Sequence, residues 1–301
     1  MNQVCNVKGV ESRTNVLLTG ASGQLGVRLL ACAATRTDVD VVGLSRDELD
    51  VTNDQAVRNA IRLHRPDVVI HAAAFTGVDD AEDREEEATL VNAEGVRLVS
   101  SACLEAGASM IHISTDYVFG HIENRPLLPG DPVQPLGAYA RSKQRGETLF
   151  LASGVRGAIV RVAWLYDTDG NNFLNTMLRL ARDKGKLRVV DDQFGVPTAA
   201  PVFAMGLLDM AAKRRNMPQG IWHFSHQGFT SWHGFAQEII RLSGLDVPVE
   251  PVASDEFPTK ARRPVWSVLD GEPLRLAMDW RPMHWKEALK ECWRMKKTIE
   301  L

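Results

Sequence analysis

The segment that most restricts how this chain folds is its first strand, turn and helix. Asn15-Val16-Leu17-Leu18-Thr19-Gly20 is a short apolar run that ends in Gly20-Ala21-Ser22-Gly23-Gln24-Leu25-Gly26. Leu25, Leu29, Leu30 and Ala33 then follow at helical spacing. A strand fed through glycines into a helix brings backbone close to whatever sits at the turn and aims free N–H groups at an anion. This is the setting of a dinucleotide fingerprint, here spaced GxxGxxG rather than GxGxxG. Gly20, Ser22, Gly23, Gln24 and Leu25 are its candidate cofactor contacts.

Strand and helix patterns go on alternating through the first half, which predicts an α/β fold: a doubly wound parallel sheet of Rossmann type with helices on both faces. Strands are expected at Val39–Leu44, Leu49–Val51, Asp67–Ala74, Ser109–Phe119 and Ala158–Tyr166, with helices at about Asp54–Leu63 and Ala81–Ala106. The acids Glu82, Asp83, Glu85, Glu86 and Glu87 open that last helix and read as a solvated face at the positive end of its dipole. The second half is less regular. Helices are expected at Asn172–Asp183, Pro201–Lys213 and Ser231–Ser243, with Ser231 as N-cap, and strands at Leu187–Val190 and Gly220–Ser225. Prolines 248, 251, 258, 264, 273 and 282 cut the tail into short pieces. The expected organisation is an N-terminal extension (1–14), a dinucleotide-binding domain (15–166) completed by parts of 200–226, and a smaller substrate lobe (167–199 and 227–301).

A chain of 301 residues with 45% hydrophobic content can bury a sizeable core. Its net charge of −3, without a long basic run, argues against a nucleic-acid partner. Cys5, Cys32, Cys103 and Cys292 show no CxxC pair and fit free thiols in a reducing compartment. No HExxH or similar ligand spacing is present, so no metal site is expected, and His223 and His226 read as packing or surface residues. Met1–Thr14 lacks a signal-peptide core, and no apolar run approaches a membrane span. The expected location is the cytoplasm.

The chemistry lies further along. Ser114-Thr115-Asp116-Tyr117-Val118-Phe119 ends a strand pattern, and Tyr139-Ala140-Arg141-Ser142-Lys143 opens a helix. Tyr139 and Lys143 are i and i+4 and share a helical face. An ammonium beside a phenol favours the phenolate, so Lys143 is expected to lower the Tyr139 pKa. Thr115 adds a hydroxyl able to hold a carbonyl oxygen. These three are the candidate catalytic residues, and they suggest proton transfer to a carbonyl with hydride from a cofactor at the glycine turn.

With these motifs, the chain resembles the dTDP-4-dehydrorhamnose reductase family of the extended short-chain dehydrogenases/reductases. The carriers are Gly20–Gly26, Ala72-Ala73-Ala74-Phe75-Thr76-Gly77-Val78-Asp79, Ser114–Phe119, Tyr139–Lys143, Gly170-Asn171-Asn172-Phe173, Asp192–Thr198 and Arg262-Arg263-Pro264. The resemblance implies reduction of the C4 ketone of a dTDP-4-keto-6-deoxyhexose, most closely dTDP-4-dehydro-L-rhamnose. It also implies that Lys143 binds the nicotinamide ribose. Related dehydratases follow the Thr with an Asp–Glu pair; here Asp116-Tyr117 lacks the second acid, which disfavours dehydration. A 4-ketoreductase of another nucleotide-deoxysugar pathway would carry the same groups. A non-catalytic NADP-binding regulatory subunit, like that of methionine adenosyltransferase, is a further alternative. Retention of Thr115, Tyr139, Lys143 and the arginine pair weighs against it.

At the end of the second strand, where an acid would bind the ribose of NAD, the chain has Ser45 and Arg46, with no acid until Asp47. NADPH is therefore favoured, with NADH possible. Asp50 and Val51 are placed to meet the adenine, and Ala72, Ala73 and Ala74 to let the cofactor pass. For the substrate, the resemblance points to Thr76, Val78, Asp116, Tyr117, Trp164, Asn172, Gln193, Arg262 and Arg263, the arginines suiting a diphosphate. Some relatives place an acid shortly after the third glycine to hold Mg²⁺ at a dimer interface. This chain has Val27 and Arg28 there, so such a dimer is doubtful and monomer or homodimer stays open.

Overall fold

The computed structural model describes residues 13–120 and 124–299. Most of the expected N-terminal extension, with Cys5, lies outside the described residues. Six parallel strands make the main sheet: β1 (Thr14–Thr19), β2 (Val39–Leu44), β3 (Val68–His71), β4 (Ser109–Thr115), β5 (Gly157–Val162) and, much later in the chain, β10 (Gly220–Phe224). Their spatial order is β10-β5-β4-β3-β1-β2. The order reverses between β1 and β3, and the crevice beyond the carboxyl ends of such strands is where ligands bind in open α/β sheets. The central strands are buried along their whole length, which explains their unbroken apolar runs.

On one face, α1 (Gln24–Ala33) packs with α8 (Ala200–Ala212) over Val16, Leu18, Ile70 and Val160. On the other, α2 (Asp54–His64), α5 (Gly95–Ala106) and α6 (Ala138–Ser153) cover Leu17, Val69, Met110 and Ile159. Between β3 and α5 lie α3 (Asp80–Asp83), α4 (Glu85–Thr89) and a π-helical turn at Leu90–Glu94. The helical stretch expected over Ala81–Ala106, a reading that allows for a break, is interrupted at Arg84, where the backbone leaves the helical region (φ −129°).

A third cluster is built from α7 (Phe173–Lys184), α9 (Trp232–Ser243) and α11 (Trp285–Ile299) around Leu174, Phe235, Ile239, Trp285 and Leu289. Its strands are short. They pair as β6 (Leu165–Tyr166) with β9 (Thr198–Ala199), β7 (Leu187–Val190) with β12 (Val249–Val252), and β8 (Phe194–Gly195) with β11 (Thr230–Ser231). Ser231 caps α9 as expected, accepting from Gly234 N at 3.0 Å. A last short helix, α10 (Glu272–Met278), carries Pro273 in its first turn, where a missing N–H costs nothing.

The strand expected over Ser109–Phe119 stops at Thr115, whose hydroxyl accepts from Tyr117 N and starts a 3-10 turn at Asp116–Val118. Two other strand expectations fail. Leu49-Asp50-Val51 is a turn, because the Asp50 carboxylate accepts from the N–H (2.9 Å) and hydroxyl (2.7 Å) of Thr52 and Asn53 then caps α2. The Ala158–Tyr166 run is interrupted at Trp164, which adopts φ +47° and turns the chain from β5 into β6. A bulky residue in that region is costly and persists only where its surroundings hold it. Here its indole stacks on Trp232, with centroids 3.5 Å apart and planes 8° from parallel.

Among the described residues no helix is long and apolar enough to cross a membrane, and no cluster of three or more metal-ligating side chains is present.

Candidate active site

The glycine turn sits at the sheet's switch point. Gly20 has φ +72°, and a Cβ there would lie 2.7 Å from Ala73 N, so only glycine lets β1 end against the Ala72–Ala74 segment after β3. Gly26 has no room for a Cβ against the backbone of Gly20 and Ala21, which draws α1 onto the turn. Gly23 occupies the N-cap of α1 and offers no side-chain oxygen, leaving first-turn N–H groups open to a ligand anion. Ser22 and Gly23 are exposed, whereas the Leu25 side chain belongs to the core. This cradle fits a dinucleotide pyrophosphate.

Beyond β2, Ser45 is already engaged: its N–H (2.8 Å) and hydroxyl (2.7 Å) both donate to Glu48. These two donors hold the Glu48 carboxyl below its usual range. An acid therefore does stand at this strand end, supplied from three residues beyond Ser45. Arg46 and Asp50 are exposed, and Val51 is buried against Gly95.

Thr115 ends β4. Its hydroxyl accepts from Tyr117 N and donates to Asp116 Oδ1, both at 3.1 Å. Tyr139, in the first turn of α6, meets Tyr117 edge to face at 5.9 Å and faces the Thr115 hydroxyl. One turn on, Lys143 is buried, and its ammonium donates to Ile113 O at 2.7 Å. The three candidate catalytic residues thus lie on neighbouring elements, of which only the shared face of Tyr139 and Lys143 follows from their spacing in the sequence. The electrostatics differ from expectation. Burial pushes the Tyr139 phenol up to about 12, partly offset by Thr115 and reinforced by Asp116, instead of Lys143 drawing it down. Burial also lowers Lys143 to about 8. Asp116, buried beneath the two tyrosines, rises to about 7 through desolvation, against the pull of Ser267 and Thr115, and its Oδ2 has no hydrogen-bond partner.

Several residues that hold this geometry carry no local signal in the sequence. Glu82, which the sequence presents as a solvated acid, caps α6 by accepting from Ala138 N at 2.8 Å, next to Tyr139. Glu85 takes Arg141 of α6 in a two-pronged pair, both bonds 2.9 Å. Asn92, on the π-helical turn, bonds the N–H (2.8 Å) and carbonyl (3.0 Å) of Phe75 and donates to Ser142 (2.9 Å), tying the post-β3 segment to α6. A π-turn at such a point is common near functional sites.

The expected substrate contacts divide. Thr76 and Val78 border the same segment, exposed and half-buried. Asp79 accepts from Arg263 (2.8 Å) and Ala261 N (3.0 Å), drawing the 261–263 loop toward Tyr117. The arginines therefore do not act as a matched pair: Arg263 is committed to Asp79, and Arg262 is exposed. Trp164 borders the third cluster, that of α7, α9 and α11, through Trp232. Asn172 caps α7 and donates to Gln24 Oε1 (3.2 Å), linking the glycine turn to α7. Gln193 donates to Ser254 (2.9 Å), further along the proline-broken region. Arg28, where an acid would be needed for Mg²⁺, instead grips Asp167 at 2.7 and 2.6 Å.

A family model described as RmlD substrate binding domain matches residues 14–297. The chain belongs to this family. A dTDP-4-dehydrorhamnose reductase of Streptomyces griseus is 41% identical over 93% of each chain. The structure of a dTDP-4-dehydrorhamnose reductase from Clostridium acetobutylicum superposes with a TM-score of 0.89 at 38% identity, covering 94% of this chain and 99% of that one. That of Bacillus anthracis, in complex with NADP, gives 0.88 at 33% identity over 94% and 100%. Membership in the RmlD family agrees with the observed α/β fold and its six-stranded parallel sheet.

Proposed function

We propose that this protein is an oxidoreductase that uses NADPH, or NADH, to reduce the C4 ketone of a dTDP-4-keto-6-deoxyhexose, namely dTDP-4-dehydro-L-rhamnose to dTDP-L-rhamnose. The observation that carries the reading is the meeting of Thr115, Tyr139 and Lys143 at the carboxyl end of β4, beside a glycine cradle at the switch point. A reduced dinucleotide held there by its pyrophosphate would supply the hydride. Ser22, Gln24 and Leu25 offer backbone N–H groups to the pyrophosphate, while Gly20 and Gly23 let the backbone approach it, the Gly23 N–H itself closing the turn on Gly20 O at 3.0 Å. Ser45 and Arg46 meet the ribose, Asp50 and Val51 the adenine, and Ala72–Ala74 leave room for the cofactor to pass.

Thr115 turns its hydroxyl from Asp116 to donate a hydrogen bond to the ketone oxygen and orient it. Tyr139, kept protonated by burial, gives its proton to the developing alkoxide, and Lys143 stabilises the phenolate left behind. Asp116 supplies an unpartnered carboxyl oxygen for a sugar hydroxyl. Thr76, Val78, Tyr117, Trp164, Asn172 and Gln193 line the sugar nucleotide, with Arg262 the exposed cation for its diphosphate. Residues 15–166 with parts of 200–226 act as the cofactor domain, and 167–199 with 227–301 as the substrate lobe. The protein works in the cytoplasm, as a monomer or homodimer, without nucleic acid or membrane.

The test supplies dTDP-4-keto-L-rhamnose made in situ with NADPH or NADH, follows loss of reduced-cofactor absorbance, and identifies the product. No loss with either cofactor rejects the reading. Reduction to a sugar of another configuration moves the protein to a different deoxysugar pathway.

A further inference from the structure

Lys143 is an ammonium buried to 3% exposure whose hydrogen bond goes to a neutral carbonyl. Such a charge is expensive without a counter-ion. The groups around it narrow the choice of one. His71 on β3 and His112 on β4 are buried and held neutral, both with nitrogens that lack partners, so they add no negative charge. Tyr139, on the same helix, is a protonated phenol. Asp116, past the end of β4, is desolvated and accepts from Thr115.

Glu147 differs from all of these. It lies one turn beyond Lys143 on α6 and is 4% exposed. Its carboxylate accepts from the Ser114 hydroxyl at 2.6 Å and from Arg161 Nε at 2.8 Å and Nη2 at 2.7 Å. Three donors, two of them on a guanidinium, surround it, and the pair with Arg161 is a buried salt bridge.

The donors are placed by strand register. Ser114 of β4 is paired with Arg161 of β5, and Arg161 with His223 of β10, so their side chains share one sheet face. His71 and His112 are likewise register partners. The result is a buried polar belt running across four strands beneath α6. Arg161 is fixed in it by Pro129 O at 3.2 Å and by the face of Phe119, 4.9 Å from its guanidinium carbon.

We infer that Glu147 is a positioning residue for the proton donor: clamped by Arg161 and Ser114, its carboxylate is the counter-charge that keeps Lys143 an ammonium and locks α6 to β4 and β5, so that Tyr139 stays at Thr115. The inference rests on the proposed roles of Tyr139 and Lys143. Burial drives Lys143 down to about 8, and Glu147 is the group that opposes it.

Glu147→Gln keeps the shape and an acceptor oxygen but removes the charge. Lysine labelled at the ε-carbon is titrated by NMR, the Lys143 resonance being the one absent in Lys143→Arg. The expected Lys143 midpoint in Glu147→Gln falls by about one pH unit or more. The alkaline limb of kcat/KM moves the same way. An unchanged midpoint in folded Glu147→Gln overturns the inference, as does a loss of turnover without any movement of the midpoint. If Glu147→Gln does not fold, Glu147→Leu combined with Arg161→Met leaves no carboxylate or guanidinium unpaired. There the carboxylate leaves with a cation that is bound on its far side, so a smaller fall than in Glu147→Gln is expected, and no fall at all overturns the inference. A wild-type protein that reduces no keto sugar rejects the proposed function, while the titration still reports on Glu147.

Discussion

Lys143→Met should make this protein more stable while removing its activity. The magnitude follows from burial. Lys143 titrates at about 8 instead of 10.5, so holding the ammonium in the fold costs about 3 kcal/mol at neutral pH. Methionine fills a similar volume without charge and leaves Glu147 matched by Arg161. Against this, the Ile113 carbonyl loses its donor, a cost of about 1 kcal/mol. The net expectation at about pH 7 is a gain of roughly 2 kcal/mol. The dependence on pH carries the sharper test. Below about 8 both folded and unfolded wild type hold the proton, and the full burial cost is present. Between about 8 and 10.5 the unfolded chain binds more protons than the folded one, so wild-type stability rises with pH. The advantage of Lys143→Met should therefore shrink as pH climbs through that window. Urea unfolding of both proteins across that range measures it. A variant that is less stable than wild type at neutral pH, or an advantage that does not change with pH, would refute the reasoning.

Three further outcomes can be checked. Tyr139→Phe should lower kcat by about 10²- to 10⁴-fold, the usual worth of a general acid, with NADPH affinity unchanged by fluorescence titration; near-normal turnover removes Tyr139 from the mechanism. Glu48→Ala frees Ser45 and removes a negative charge from the end of β2, so the ratio of kcat/KM for NADPH to that for NADH should rise several-fold; a fall would place the ribose 2′ group elsewhere. The protein should lose stability steeply in acid. His71 and His223 at about 3 and His226 at about 4 stay neutral when folded, so below about 6.5 the unfolded chain takes up protons the fold refuses. Each costs up to about 1.4 kcal/mol per pH unit, and Asp116, raised to about 7, offsets one of them. Replacing His226 by Phe should flatten the acid limb of the urea midpoint.

Much of the site is legible in the amino-acid sequence. The strand, glycine turn and helix, the Tyr139–Lys143 face and the cap at Ser231 are set by neighbours within a turn or two of each other. Their geometry follows from φ/ψ limits and side-chain period, which any tertiary context must respect. The short third strand fails on the same scale, because a local Asp50–Thr52 turn outcompetes three apolar-flanked residues for pairing.

What tertiary structure alone decides is the state of the charges. Glu82 and Glu147 look alike in sequence, acids on helical surfaces, yet one caps the helix carrying Tyr139 and the other is sealed against Arg161. Arg262 and Arg263 are adjacent in sequence and part company in space, one exposed and one bound to Asp79. Their i, i+4 spacing predicts that Lys143 draws the Tyr139 pKa down, but desolvation acts more strongly on both groups and moves them apart. Local backbone preference is a short-range property written residue by residue. The energy of a charge depends on the water it loses and on partners brought to it from distant strands, and only the assembled fold supplies those.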